Sequence, residues 1–151
     1  MPQTRKNARL PAKMADFYAS LDARISQAFD QRTLCRQCGK CCNFKSFGHR
    51  LFITTAELLY LQVQLAPAGL KSMSDGICPY REKGKCTIHE NRFAACRIFF
   101  CQSDEDIQSE LTEQALKELK QIHADYGIPY RYMDLATALN DPKKNLKLRT
   151  V

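Results

Sequence analysis

Nowhere in its 151 residues does this sequence hold an apolar run long enough for a membrane span, which takes roughly 18 residues. A helical membrane anchor is therefore not expected. Also missing is a continuous apolar stretch behind the basic opening MPQTRKNARLPAK, because Asp16, Asp22 and Arg24 break up the apolar residues beyond it. On that basis no secretory leader is expected, and a reducing cytoplasm is the expected setting. There is no glycine-rich cofactor fingerprint, phosphate loop, carboxylate pair or serine–histidine arrangement, so no catalytic residue is assigned and no enzyme class is implied. Internal repeats and low-complexity segments are absent too.

Acids are lacking at both ends. Residues 1–13 carry Arg5, Lys6, Arg9 and Lys13, and residues 142–151 carry Lys143, Lys144, Lys147 and Arg149, together more than the whole net charge of +7. The interior is close to neutral. The expected picture is two flexible basic tails, 1–12 and 142–151, without an element to read a nucleic-acid groove. A nucleic-acid partner is not expected, while an unidentified protein partner is left open. With 44% hydrophobic and 26% charged residues, 151 residues suit one folded domain.

Cysteine is what the sequence has in excess. Cys35, Cys38, Cys41 and Cys42 form one block, and Cys78, Cys86, Cys96 and Cys101 lie together in a later 24-residue stretch. In a reducing compartment such thiols serve as metal ligands, catalytic groups or inert core residues. The first three read C-x2-C-x2-C, and two intervening residues let a tight turn point both sulfurs at one ion. Gly39 supplies backbone freedom in that turn. Side chains of the adjacent Cys41 and Cys42 diverge and do not easily share one tetrahedral ion, so two sites or one polynuclear cluster are expected. All-thiolate sites suit both zinc and iron–sulfur clusters. The overlapping run favours an iron–sulfur cluster by a narrow margin.

Other residues near the cysteines carry weaker signals. Arg36, Lys40, Lys45, Lys83, Lys85, Arg92 and Arg97 fit either an ordinary solvated surface or compensation of thiolate charge. Phe44, Phe47, Phe93, Phe99 and Phe100 are expected to pack and keep water out. His89 has ligand spacing from Cys86 but reads better as a core or surface histidine, and His49 and His123 have no partners in sequence.

The fold expected is mainly α, a small helical domain around an irregular cysteine-rich metal-binding centre with at most a short β element. Met14, Phe17, Tyr18, Leu21, Ile25 and Ala28 recur at three- and four-residue steps and predict a helix over about 13–29. LFIT at 51–54 suits a short strand. Thr54 and Glu57 have the spacing of a capping box, opening a helix that stops before Pro67 and Gly69. A short helix around 90–100 would carry Cys96. Cys101 would lie about 140° from Cys96 around an unbroken helix, so it is placed beyond that helix's end. The acids Asp104, Glu105 and Asp106 start a long helix from about 103, faced by Ile107, Leu111, Ala115, Leu119 and Ile122 and stopped by Gly127 and Pro129. A last helix is expected around 133–139. The cysteine core thus spans about 30–101 and the C-terminal helices about 103–140.

The run Cys35-Arg-Gln-Cys38-Gly-Lys-Cys41-Cys42, with the later Cys78-Pro79, Cys86-Thr-Ile88-His89-Glu90, Cys96-Arg97 and Cys101, resembles the CxxCxxCC cysteine-cluster family, YkgJ-type, of zinc- or iron-chelating domains. The resemblance covers about residues 30–101. The chain departs from the family at His89, where a tyrosine is usual, and at Arg92-Phe93, where an Arg-Pro pair is usual. The resemblance implies chelation through all eight cysteines. A similar motif in flagellin lysine methylases implies that some relatives assist protein modification. Two functions are thus expected: a closed metal centre with a structural, delivery or partner-docking role, or an iron–sulfur redox or modification-accessory protein.

Overall fold

The computed structural model describes residues 3–29, 43, 50–99 and 104–141, with the backbone alone for 3–7. Helix α1 spans Gln3–Ala28. Leu10, Met14, Phe17, Tyr18, Leu21 and Ile25 form its buried stripe. The helix begins ten residues before the expected start and runs through Pro11. The stretch 1–12, expected as a flexible tail, is therefore helical from Gln3. Leu10, one turn before Met14, extends the apolar stripe across the proline, and its burial outweighs the backbone hydrogen bond that Pro11 cannot donate.

Strand β1 (Phe52–Thr54) runs directly into α2 (Thr55–Leu65). Thr54 and Glu57 close the expected capping box, satisfying N–H groups that the first turn leaves without partners. Ala56, Leu59 and Tyr60 face one apolar cluster and Leu58 and Leu61 another, so α2 is apolar nearly all round. The chain then forms a hairpin of β2 (Arg81–Glu82) and β3 (Lys85–Cys86), a 3-10 turn at His89–Asn91, and α3 (Ala94–Ile98).

Helix α4 (Glu105–Tyr126) begins at Asp104, whose side chain accepts from the N–H groups of Asp106 and Ile107, and ends at left-handed Gly127 (φ 66°). Leu111, Ala115, Leu119 and Ile122 are buried as the spacing predicts. The segment expected as a helix from 133 divides into β4 (Tyr132–Asp134) and α5 (Leu135–Asn140). Strand β4 pairs antiparallel with β1, Ile53 opposite Met133. Three residues are too few to show a strand's alternation, and the pairing partner is some eighty residues away. Asp134 ends the strand and caps α5 by accepting from the Thr137 N–H. The fold is mainly α with only short strands. Among the described residues no helix is long and apolar enough to cross a membrane.

Candidate metal centre

Cys78, Cys86 and Cys96 are the cysteines within the described residues. They come from a loop, a hairpin strand and a helix, and all three belong to the same apolar cluster as Tyr80, Ile88 and Phe93. Cys78 is buried and the other two are half-buried. The Cys78 carbonyl accepts from the Arg81 N–H at 3.1 Å, and Arg81 pairs with Cys86 across the hairpin, so the turn between them fixes their relation. Thr87 clamps the hairpin base, donating to the Tyr80 carbonyl from its N–H at 2.8 Å and its hydroxyl at 2.7 Å. Cys96 lies on α3, which ends at Ile98.

Cys35, Cys38, Cys41, Cys42 and Cys101 lie outside the described residues. One contact bears on the first block. Asn43 forms an antiparallel bridge with Ile77, the residue before Cys78. Among the described residues no three histidine, cysteine or acidic side chains group to hold a metal. Cys78, Cys86 and Cys96 therefore make no complete site by themselves. As soft sulfur donors packed in or against an apolar cluster, these cysteines are chemically suited to zinc or iron.

The loop between Cys86 and Cys96 is braced by two arginines. Arg97 is buried: its Nε donates to the Arg92 carbonyl and Nη2 to the Glu90 carbonyl, both at 2.8 Å, and Nη1 meets Asp22 of α1 at 2.7 Å. Its guanidinium lies 4.2 Å from the centre of the Tyr18 ring. Arg92 donates from Nε to the His89 carbonyl at 2.8 Å and from Nη1 to the Cys96 carbonyl at 3.4 Å. The charge of Arg97 is thus matched by Asp22, a role that neither the solvated-surface nor the thiolate-compensating expectation contained. Lys83 and Lys85 are exposed, as an ordinary solvated surface requires.

Glu57 anchors the start of α3. Its Oε1 accepts from the Ala94 N–H at 2.7 Å and from the Tyr18 hydroxyl at 3.5 Å, while Oε2 accepts from the N–H and hydroxyl of Thr54 at 2.8 and 3.0 Å. Burial pushes its carboxyl pKa up against these hydrogen bonds, and burial likewise holds the Tyr18 phenol well above its ordinary value.

His89 opens the 3-10 turn, and its buried Nε2 has no hydrogen-bond partner among the described residues. Burial first, then Arg92 and Arg97, lowers its pKa. Phe93 is fully buried while Phe99 is 46% exposed, so of these two only Phe93 shields the cluster. Arg36, Lys40, Lys45, Phe44, Phe47, Phe100 and His49 lie outside the described residues. Two cavities among the described residues, one against Glu57 and Leu119 and one against Arg50 and Asp134, are lined by no cysteine.

Sequence reasoning did not find the Asp22–Arg97 pair or the reach of Glu57 to Ala94. The capping-box spacing locates Glu57 but says nothing of a second helix 37 residues on. A family model described as CxxCxxCC, "Putative zinc- or iron-chelating domain", matches residues 34–122. No curated protein and no solved structure matches the chain.

Proposed function

This chain belongs to the CxxCxxCC family of zinc- or iron-chelating domains, and from that membership we propose that it is a single metal-binding domain whose eight cysteines, Cys35, Cys38, Cys41, Cys42, Cys78, Cys86, Cys96 and Cys101, ligate the metal. The observation that carries this reading is the Asn43–Ile77 bridge. Asn43 follows Cys42 in sequence and Ile77 precedes Cys78, so the bridge ties the residue after the first cysteine block to the residue before Cys78. That contact between residues 34 positions apart supports a centre drawn from both cysteine segments.

The vicinal Cys41–Cys42 pair favours two sites or one polynuclear cluster. Bound metal would cross-link two cysteine segments far apart in sequence, so its binding free energy would become folding free energy. With every cysteine engaged the centre is closed, which suits a structural, delivery or partner-docking role in a reducing cytoplasm. The overlapping C-x2-C-x2-C run favours an iron–sulfur cluster, with zinc as the other form.

Anaerobic purification with metal and sulfide analysis tests this. Brown protein with iron and acid-labile sulfide is the expected result. Colourless protein with one or two zinc ions per chain would keep the chelating function and replace the cluster. Folded, metal-free protein with eight reactive thiols would overturn both. Cys38→Ser should lose metal, whereas His89→Ala should retain it.

A further inference from the structure

We infer that Arg97, anchored by Asp22, is a positioning residue for the metal centre: it holds the loop between Cys86 and Cys96 in its ligand-presenting shape before metal arrives. The inference rests on the chelation reading and adds residues that ligate nothing. A loop of nine residues between two ligands loses backbone entropy when a metal orders it, and that loss subtracts from affinity. Here Arg97 meets the carbonyls of Glu90 and Arg92 with separate nitrogens, and Arg92 in turn meets the carbonyls of His89 and Cys96. Three carbonyls of the loop and that of Cys96 at its end are thus held by protein donors.

Only a guanidinium supplies this fork, because a lysine ammonium is a point charge that cannot span both carbonyls and the carboxylate. The brace depends on α1. The Arg97 side chain is 4% exposed and its charge partner Asp22 is 48% exposed, so Asp22 can be altered at the surface without opening a cavity. Removing the carboxylate leaves a buried cation unpaired, and the guanidinium is then drawn toward water and away from the loop carbonyls.

The test uses purified holoprotein challenged with a chelator, with metal release measured over time, and hydrogen exchange of the metal-free protein read at the Ala94 and Arg97 amides. Asp22→Ala is expected to release metal about tenfold faster or more, the range typical of lost partners behind metal ligands, and to lose protection at both amides. Asp22→Asn, which keeps an acceptor, should fall between it and the wild type, and Arg97→Lys should resemble Asp22→Ala. Two controls separate bracing from general destabilisation: Asp16→Ala, the same charge change at an exposed position of α1, and Ile25→Val, which loosens the cluster that holds none of the three described cysteines. Both should release metal at the wild-type rate. Wild-type release from Asp22→Ala, or equally fast release from Ile25→Val, would overturn the bracing and leave chelation standing. A wild-type protein that holds no metal would overturn the chelation reading itself.

Discussion

His123 shows how a single buried side chain can join two helices. It is 1% exposed on the inner face of α4, and its Nδ1 lies 2.6 Å from the Leu119 carbonyl while Nε2 lies 3.0 Å from the Ala56 nitrogen. Nδ1 therefore carries the proton and donates, and Nε2 accepts from an N–H in the first turn of α2. Protonation at Nε2 would destroy that second bond. Burial lowers the pKa below 6.5, against an opposing contribution from the Leu119 carbonyl. The unfolded chain then binds the proton more readily than the folded one, so stability is full above about 6.5 and falls as pH drops from there to the native pKa. Urea melts at pH 7.5, 6.5 and 5.5 should show wild type losing stability across the lower interval relative to His123→Gln. Parallel losses in both proteins would exclude His123 as the source. At pH 7.5 a His123→Leu variant should be less stable than wild type by about 1–3 kcal/mol, because leucine offers the buried Ala56 N–H no acceptor. No pattern in sequence announces this role, since the acceptor on α4 and the donor on α2 are 67 residues apart.

Among the elements, the β2–β3 hairpin is the one whose local chemistry bears most directly on a cysteine. Its two central residues, Lys83 (φ 51°) and Gly84 (φ 74°), both sit in the left-handed region, the requirement of a type I′ turn whose twist matches the flanking strands. Glycine adopts this without cost, whereas lysine carries roughly 1 kcal/mol of strain. Lys83→Asn would create the Asn-Gly pair that such turns favour and should stabilise the protein by about 0.5–1 kcal/mol in a denaturant melt. Destabilisation would mean that Lys83 makes an interaction worth more than the strain. Helix α1 offers a second test at this scale. Leu10 is 1% exposed in a stretch expected to be a tail, so Leu10→Ala should cost about 2–5 kcal/mol, where a tail residue would cost nothing measurable. The stripe from Met14 to Ile25 was legible because periodicity is a local property. The helix start was not, because Pro11 carries a local signal against the helix that only burial of Leu10 by other elements overrides.

Over the whole molecule, two apolar clusters share α2 and divide the labour. One is built from α1, α4 and parts of α2 and α3, with none of the described cysteines, and the other gathers Cys78, Cys86 and Cys96 with β1, the hairpin and α5. Removing metal should therefore act unevenly. Hydrogen exchange of chelator-treated protein should accelerate from 74 to 87 while the loop braced by Arg97 and the amides of α1 and α4 stay protected. Uniform acceleration would show one cooperative unit in place of two. By itself the sequence determined the chemistry and the helices: cysteine spacing at 35–42 depends on a few adjacent residues, and so do the capping box at Thr54 and Glu57 and the αL stop at Gly127. Tertiary structure alone decided which distant groups meet. Asn43 reaches Ile77, Arg97 reaches Asp22, Glu57 reaches Ala94, and β4 forms because β1 is there to pair with it. Each is a contact between segments whose separation no local pattern encodes. Each also satisfies a polar group or charge that burial would otherwise leave without a partner.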